Sequence, residues 1–414
     1  MVHRLSLCIA LLCAGTLIVC PHILAQDSGG SNSSIGGGAP QTASSLKDLL
    51  SQCFDEVNVK GNYARAAELA RQARELSQKL GDKTSEATAM VYLGAAISYQ
   101  GKLNEALDVG RQTLVVARDS GDKKVIEQAL NNLGGITGGM GRFEESVGYF
   151  YSCFDLAREL NDPVMQYMSL LNVGEAYAVS GEAERAEGPL QQALKLASEL
   201  DHGDAKSKAK SKKGKEMALS YLADNEMTRG RFSDALRYYE AVHASRPETP
   251  LWAISALEGM ATADQSLGRS QEAISLFQQA LALAEKSPGT FQVPHIISNL
   301  GVSQEAVGQL DAGLTSQERS LQMIRTAGTR TEEEWQIQSR IGHVLRAMGR
   351  DEESLQHYQH AIAGIERLRS GALNTEGGRA GLMLLNHDTY AETADLLVDL
   401  HRNAEAFSMA ERGR

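Results

Sequence analysis

The sequence predicts an all-α fold, a right-handed superhelix (α-solenoid) of about nine helix hairpins, from three kinds of observation. Glycine-centred turns recur along the chain, and each lies between two stretches with helical apolar spacing. Small residues recur at fixed places on both sides of the turns. Only 5% of the residues are aromatic, which favours a repeat array of closely packed helices over several large cores.

The turns are spaced by roughly 40 residues, the length of one helix hairpin. Their glycines can adopt the left-handed backbone conformation that ends one helix and lets the chain reverse into the next. They are Gly61, Gly101, Gly141, Gly181, Gly230, Gly268, Gly308 and Gly349. The wider interval after Gly181 indicates an insertion before the fifth turn.

Small residues predict where the two helices of a hairpin touch. In the second helices they are Ala66, Ala106, Ser146, Ala186, Ala235, Ala273, Gly313 and Ser354. In the first helices they are Gly94, Gly134, Gly174, Ala223, Ala261, Gly301 and Gly342, with Phe54 as the exception. A further small position, which includes Ala73, Cys153 and Ala361, lies later in each second helix.

This pattern of small residues and turns resembles the tetratricopeptide repeat in a long form of roughly 40 residues. The resemblance covers residues 46–414. It implies that the hairpins stack, because a single hairpin cannot bury its own apolar stripe.

The first residues predict export. A basic start, MVHR, precedes an apolar run of about 15 residues, as in a secretory signal peptide cut after Ala25. An N-terminal membrane anchor is the alternative. Residues 26–45 are rich in Gly and Ser and predict a flexible linker, so folded structure should begin near Leu46. A periplasmic or extracellular location in a bacterium follows, without a membrane span in the mature chain.

Charge and cysteine content exclude several classes of protein. The formal charge is −11, and it becomes −12 without residues 1–25, which contain Arg4 and no acid. A chain this acidic is not expected to bind nucleic acid. Cys8, Cys13 and Cys20 leave with the signal peptide, and the remaining Cys53 and Cys153 cannot make a disulfide framework.

No arrangement of residues predicts an enzyme, a metal site or a cofactor site. Cys53 and Cys153 are expected to be buried structural thiols. His357 and His360 could share a helix face, but no third metal ligand matches their spacing. The other candidate histidines, His295, His343 and His387, stand alone. The chain is therefore expected to be non-catalytic.

A lysine-rich insertion at about 202–215 interrupts the repeats. A solvated loop or a helix extension explains its charge without a function. An anion-binding or protease-sensitive patch is the alternative.

Polar residues at equivalent places in the first helices predict a groove for a protein or an extended peptide. The candidates are Asn131, Asn132, Asn172, Glu175, Asp224, Glu258, Asn299 and Glu305. An asparagine amide can pair with a peptide backbone, and the acids favour a basic or polar partner. Equally, the amides could bond to neighbouring helices within the array.

The last hairpin carries His401 at the turn and Gly413 at the later small position. Since the earlier second helices run further past that position, the repeat pattern predicts a truncated last repeat. Residues 365–414 also resemble the junction before the protease domain of CHAT (caspase-like) proteins. This resemblance implies that the chain is the sensor part of a cysteine protease whose catalytic domain is absent from it. A complete secreted assembly factor and the periplasmic sensor of a membrane kinase are the alternatives.

Overall fold

The computed structural model describes residues 43–287, 292–327, 331–372 and 376–413. The predicted signal peptide and linker residues 26–42 lie outside the described residues, as does the His387 side chain. The described residues form two compact units, one up to Asn225 and one from Glu226, and the border lies within a helix. Within the described ranges all regular secondary structure is helical, which confirms the predicted all-α fold.

Eighteen α-helices form nine sequential hairpins in the described residues. The N-terminal unit contains α1 Ala43–Asn58, α2 Tyr63–Leu80, α3 Lys83–Tyr99, α4 Leu103–Ser120, α5 Lys123–Gly139, α6 Phe143–Glu159, α7 Pro163–Val179, α8 Ala183–Glu199 and most of α9 Ala205–Thr228. The C-terminal unit contains α10 Phe232–Ala244, α11 Pro250–Ser266, α12 Ser270–Ala284, α13 Val293–Ala306, α14 Leu310–Ala327, α15 Thr331–Ala347, α16 Asp351–Ala372, α17 Glu376–Asp399 and α18 Asn403–Arg412. Odd-numbered helices are the first helices of their hairpins and even-numbered helices the second.

The turns within the hairpins have the predicted left-handed conformation. All eight turn glycines have positive φ, from 64° at Gly61 to 86° at Gly181. His401 has φ 58°, so the ninth turn adopts the same conformation with a residue that favours it less. The turn positions of all nine hairpins are thus confirmed.

A second kind of turn joins one hairpin to the next, and sequence reasoning missed it. Gly81, Gly121 and Asn161 have positive φ there, and each precedes an aspartate that begins a helix. Asp82 Oδ1 accepts from Ser85 N at 3.0 Å, and Asp162 Oδ1 accepts from Met165 N at 3.0 Å. The sequence signal was present, because a Gly–Asp or Asn–Asp pair recurs midway between the predicted turns.

Small residues bring the paired helices together as predicted. A Cβ atom on Gly174 would lie 2.4 Å from Leu190 Cδ2, and one on Gly342 would lie 2.9 Å from Tyr358 Cδ1. In the first hairpin the sizes are reversed, since Phe54 faces the same apolar core as Ala70, which stands where Leu190 stands in α8. This exchange of a small and a large residue explains the exception at Phe54.

The lysine-rich insertion is helical, which agrees with its interpretation as a helix extension rather than a solvated loop. It forms the first half of α9 and follows a 3₁₀ turn at Leu200–His202. Asp201 accepts from Ser211 Oγ at 2.6 Å and pairs with Lys215 Nζ at 2.5 Å. Gly214 packs against Tyr167 and Ala197, which fixes the extension on α7 and α8.

Candidate peptide-binding face

The candidate residues lie where consecutive first helices run side by side within each unit. Helix α3 contacts α1 and α5, and α13 contacts α11 and α15. We call this side the first-helix face of a unit. Polar residues occupy one equivalent position on it: Asn132, Asn172 and Tyr221 in the N-terminal unit, and Asn299 and Arg340 in the C-terminal unit.

The asparagines of the N-terminal unit are buried and bonded to their neighbours. Asn132 Nδ2 donates to the carbonyl oxygen of Val91 at 2.7 Å, and Asn172 Nδ2 donates to Asn131 Oδ1 at 3.1 Å. All three side chains are at most 6% exposed. They tie α3 to α5 and α5 to α7, so peptide binding by these amides would require an exchange of partners. Their role toward a ligand stays a prediction.

Glu175 and Asp224 form an acidic site on the same face, and Glu175 lies one helical turn after Asn172 on α7. Tyr221 Oη on α9 donates to Glu175 Oε2 on α7 at 3.3 Å. Burial raises the pKa of Glu175 to about 8, the tyrosine hydrogen bond opposes this rise, and the charge of Asp224 adds to it. Glu175 is therefore mostly protonated at neutral pH, because the effect of burial outweighs that of the tyrosine hydrogen bond.

In the C-terminal unit two carboxylates bond to histidines of the next hairpin. Glu258 Oε1 lies 2.5 Å from His295 Nδ1, and Glu305 Oε1 pairs with His343 Nδ1. His295 Nε2 also lies 3.5 Å from Asn299 Nδ2. Glu258 and Asn299 thus meet through His295, whereas Glu305 belongs to the neighbouring pair.

Arg340 completes this row of polar contacts. Its Nη1 donates to Ser298 Oγ at 2.6 Å and to Asn299 Oδ1 at 3.0 Å, which joins α15 to α13. Sequence reasoning missed Arg340, Ser298 and the histidine pairs. The repeat spacing could have revealed these contacts. Glu258 and His295 are 37 residues apart, and Glu305 and His343 are 38 apart, so each pair consists of polar residues at neighbouring positions of successive repeats.

The two cysteines that the structure describes lack the exposure that a catalytic thiol needs. Cys53 and Cys153 are both free and fully buried, as predicted. Burial raises the pKa of each thiol to about 12, so neither ionises readily at neutral pH.

The histidine pair of α16 is arranged edge to face. The rings of His357 and His360 have centroids 6.3 Å apart, and His357 Nδ1 contacts Gln338 Oε1 at 2.7 Å. In the described ranges no group of three or more His, Cys, Asp or Glu side chains is placed to hold a metal ion. Among the same residues, no helix combines the length and apolarity needed to cross a bilayer.

Comparison with known proteins identifies the repeats. Residues 128–163, 215–290 and 336–369 match family models described as tetratricopeptide repeat. Residues 43–138 match a model described as anaphase-promoting complex subunit 5. No curated protein matches the sequence.

Several solved structures share the fold. The apo form of RapI is 11% identical with a TM-score of 0.64, over 89% of this chain and 97% of that chain. The quorum sensor NprR from B. thuringiensis is 14% identical with a TM-score of 0.58, over 77% and 87%. A Rap protein complexed with Competence and Sporulation Factor is 13% identical with a TM-score of 0.55, over 90% and 97%. At these identities the likeness establishes the fold alone.

Proposed function

We propose that this tetratricopeptide-repeat protein is a non-catalytic scaffold that holds an extended peptide or a protein segment against its first-helix face. The observation that carries the proposal is that amide, hydroxyl and charged groups occupy one equivalent position on α5, α7 and α9 of the N-terminal unit and on α13 and α15 of the C-terminal unit. Amide and hydroxyl groups of this kind can also pair with the backbone of an extended peptide. The fold shared with a Rap protein that was solved in complex with Competence and Sporulation Factor supports the same interpretation.

Peptide selection tests this function directly. A random peptide library displayed on phage is selected on the purified chain, and the affinity of the selected peptides is measured by calorimetry. We expect the charge reversal Asp224→Lys on α9 to weaken their binding about tenfold or more, since a basic ligand would then face a like charge and a polar ligand would lose a hydrogen-bond acceptor.

Asp155→Lys provides the matched control, because Asp155 is 71% exposed on the second helix α6. Both variants should keep the circular dichroism spectrum of the unchanged chain. Equal loss of affinity in the two variants, or no loss in either, would place the ligand elsewhere.

We further propose that the scaffold is exported and that it is the sensor part of a CHAT-type protease. The apolar N-terminal run supports export, and the similarity of residues 365–414 to the junction of that family supports the protease. In this arrangement a ligand on the repeats would control a His/Cys catalytic domain encoded downstream.

Two measurements test these proposals. Sequencing the gene beyond codon 414 should reveal a domain with catalytic His and Cys. A stop codon would favour a secreted assembly factor, and an apolar stretch of about twenty residues would favour a membrane sensor. Mass spectrometry of the exported protein should find a new N-terminus at Gln26, whereas an uncleaved N-terminus would favour the membrane anchor.

A further inference from the structure

The lysine-rich first half of α9 projects past the end of the neighbouring helix α7. Gly214, the tenth residue of α9, packs against Tyr167, the fifth residue of α7. Tyr221 and Glu175 are in contact at nearly the same sequence separation, so the two helices run side by side in the same direction. Helix α9 therefore begins about five residues, or roughly 8 Å, further out than α7.

Hydrogen bonds fix the inner side of this projecting segment. Ser211 is fully buried, and its Oγ donates to Asp201 Oδ1 at 2.6 Å. Lys215 Nζ pairs with the other oxygen of the same carboxylate at 2.5 Å. Asp204 Oδ1 accepts from Ser207 N at 2.8 Å and thereby caps the first turn. The backbone that carries the lysines is thus held in place.

Three lysines line one side of the segment, and we call them the lysine stripe. Lys206, Lys210 and Lys213 recur at spacings of four and three residues, so they share one side of the helix. Lys206 is exposed, and the other two are partly exposed. The ion pair between Lys215 and Asp201 lies on the opposite edge of the helix, so it does not neutralise the stripe.

The stripe concentrates positive charge that its own helix disfavours. Like charges three and four residues apart repel, and cations near a helix N-terminus oppose the helix dipole. The hydrogen bonds from Ser207 lower the pKa of Asp204, and the charges of Lys206 and Lys210 lower it further. An added anion would relieve both kinds of repulsion, so the stripe is suited to bind one.

The geometry favours a short acidic segment of a protein. Steps of four and three residues place successive lysines about 6 and 4.5 Å apart along the helix axis. Carboxylates on alternate residues of an extended chain are about 6.5 Å apart, which suits the same stripe.

Other anionic partners fit less well. A long polyanion such as nucleic acid would also face the rest of the chain, whose formal charge is −11. Alanine is the only apolar residue type in residues 205–214, so the segment lacks the apolar face with which a helix enters a bilayer.

We propose that the lysine stripe binds an acidic segment of a partner protein, with two or three carboxylates in close succession. The contact is electrostatic, so it weakens as salt screens the charges. The stripe lies at the projecting end of α9, whereas the proposed ligand contact at Asp224 lies near the other end of that helix. The inference therefore stands apart from the proposed function.

The test uses the whole chain and two short peptides, and calorimetry at low ionic strength measures their affinities. One peptide alternates Asp with Ser, and the other has Asn in place of every Asp. Both are acetylated and amidated, so that the Asp side chains carry the only charges. We expect the Asp peptide to bind about tenfold or more tightly, and the preference should shrink at high salt.

Cross-linking locates the contact. A carbodiimide joins an amine and a neighbouring carboxylate as an amide and takes up the water that is lost. Mass spectrometry should then find the Asp peptide attached to Lys206, Lys210 or Lys213.

Two triple variants connect the preference to the stripe. Lys206→Gln, Lys210→Gln and Lys213→Gln together should abolish the preference for the Asp peptide. Lys206→Arg, Lys210→Arg and Lys213→Arg together should retain it, because the positive charges remain. The glutamine variant should also keep or raise the melting temperature, since repulsion within the helix is lost.

A third triple variant is the matched control. Lys79→Gln, Lys102→Gln and Lys123→Gln together remove the same charge from three exposed lysines elsewhere in the N-terminal unit. This variant should keep the preference for the Asp peptide.

Three results would overturn the inference: equal affinity for the two peptides, equal losses in the stripe and control variants, or cross-links confined to other lysines. Tighter binding of anionic vesicles or of an oligonucleotide than of the Asp peptide, lost in the stripe variant, would also overturn it and assign the stripe to that partner. Peptides selected on the first-helix face should keep their affinity in the stripe variant, so failure of one proposal leaves the other intact.

Discussion

Gly134 on α5 and Phe150 on α6 lie so close that a Cβ atom on the glycine would stand 2.6 Å from Cε1 of the ring. Ser146 reinforces this contact, because its Oγ donates to the Gly134 carbonyl at 2.7 Å. We therefore expect Gly134→Ala to push Phe150 out of place and to lower the free energy of unfolding by about 1–3 kcal/mol. Urea unfolding followed by circular dichroism measures the change.

Gly148 in the same hairpin is the control for this prediction. It lies on the exposed side of α6, and a Cβ atom there would meet nothing within 4 Å. Gly148→Ala should therefore raise stability by roughly 0.5–1 kcal/mol through helix propensity. If Gly134→Ala also stabilised the chain, the close helix contact would not exist in solution.

Glu175 should make stability depend on pH. The folded carboxyl keeps its proton up to a pKa of about 8, whereas an unfolded glutamate releases it near a pKa of about 4.3. The stability that this group contributes is full below pH 4 and is lost as the pH rises toward 8. We expect Glu175→Gln to flatten this slope and to raise the free energy of unfolding at pH 8 by about 1–3 kcal/mol.

Melting temperatures at pH 4 and pH 8 provide the measurement for Glu175. At pH 4 the variant and the unchanged chain should melt nearly alike, because the carboxyl is largely protonated in both states and an amide resembles it. The exposed Glu184→Gln on α8 serves as control and should leave the pH dependence unchanged. A Glu175→Gln variant that keeps the full slope would show that the carboxyl is ionised in the fold.

The pKa values of His343 and His357 should lie on opposite sides of the pKa of an ordinary imidazole. The hydrogen bond from His343 to Glu305 raises the pKa of His343, whereas burial lowers the pKa of His357. Titration followed by NMR should therefore show the His343 ring losing its proton at a higher pH than the His357 ring. In Glu305→Gln the His343 midpoint should fall and the His357 midpoint should remain. The reverse order of midpoints would contradict the Glu305 contact.

Cys153 should resist alkylation in the folded chain. The thiol is fully buried and its pKa is about 12, so neither access nor ionisation favours reaction with iodoacetamide. The exposed neighbour provides a matched probe, because Ser152→Cys places a thiol on the open side of the same helix. Mass spectrometry should find rapid modification at position 152 and modification at Cys153 only in denaturant. Comparable rates at the two positions would show that α6 opens readily.

The repeat pattern predicted the hairpins because turn conformation and small contacts depend on residues close in sequence. The prediction held even for the ninth hairpin, where His401 has the positive φ of a turn glycine and Gly413 packs against Tyr390. The contacts between hairpins were harder to predict. His295 meets Glu258 only through the stacking of α13 on α11, which a single repeat does not specify.

The asparagines show a second limit of sequence reasoning. An amide at Asn132 offers the same donors to a peptide backbone and to the Val91 carbonyl of a neighbouring helix. The sequence left both interpretations open, and the structure places the amide on the carbonyl. Arg340 was overlooked because its partners, Ser298 and Asn299, become neighbours only when successive first helices are aligned.

The hydrogen bonds between first helices have a consequence for how the chain is made. Asn132 reaches Val91 across 41 residues of sequence, and Asn172 reaches Asn131 across the same interval. A hairpin therefore needs only the next hairpin to form these hydrogen bonds. The chain segment between the bonded residues is short, so its ends meet quickly. Each hairpin can dock as soon as about forty more residues have left the ribosome, so folding can keep pace with synthesis.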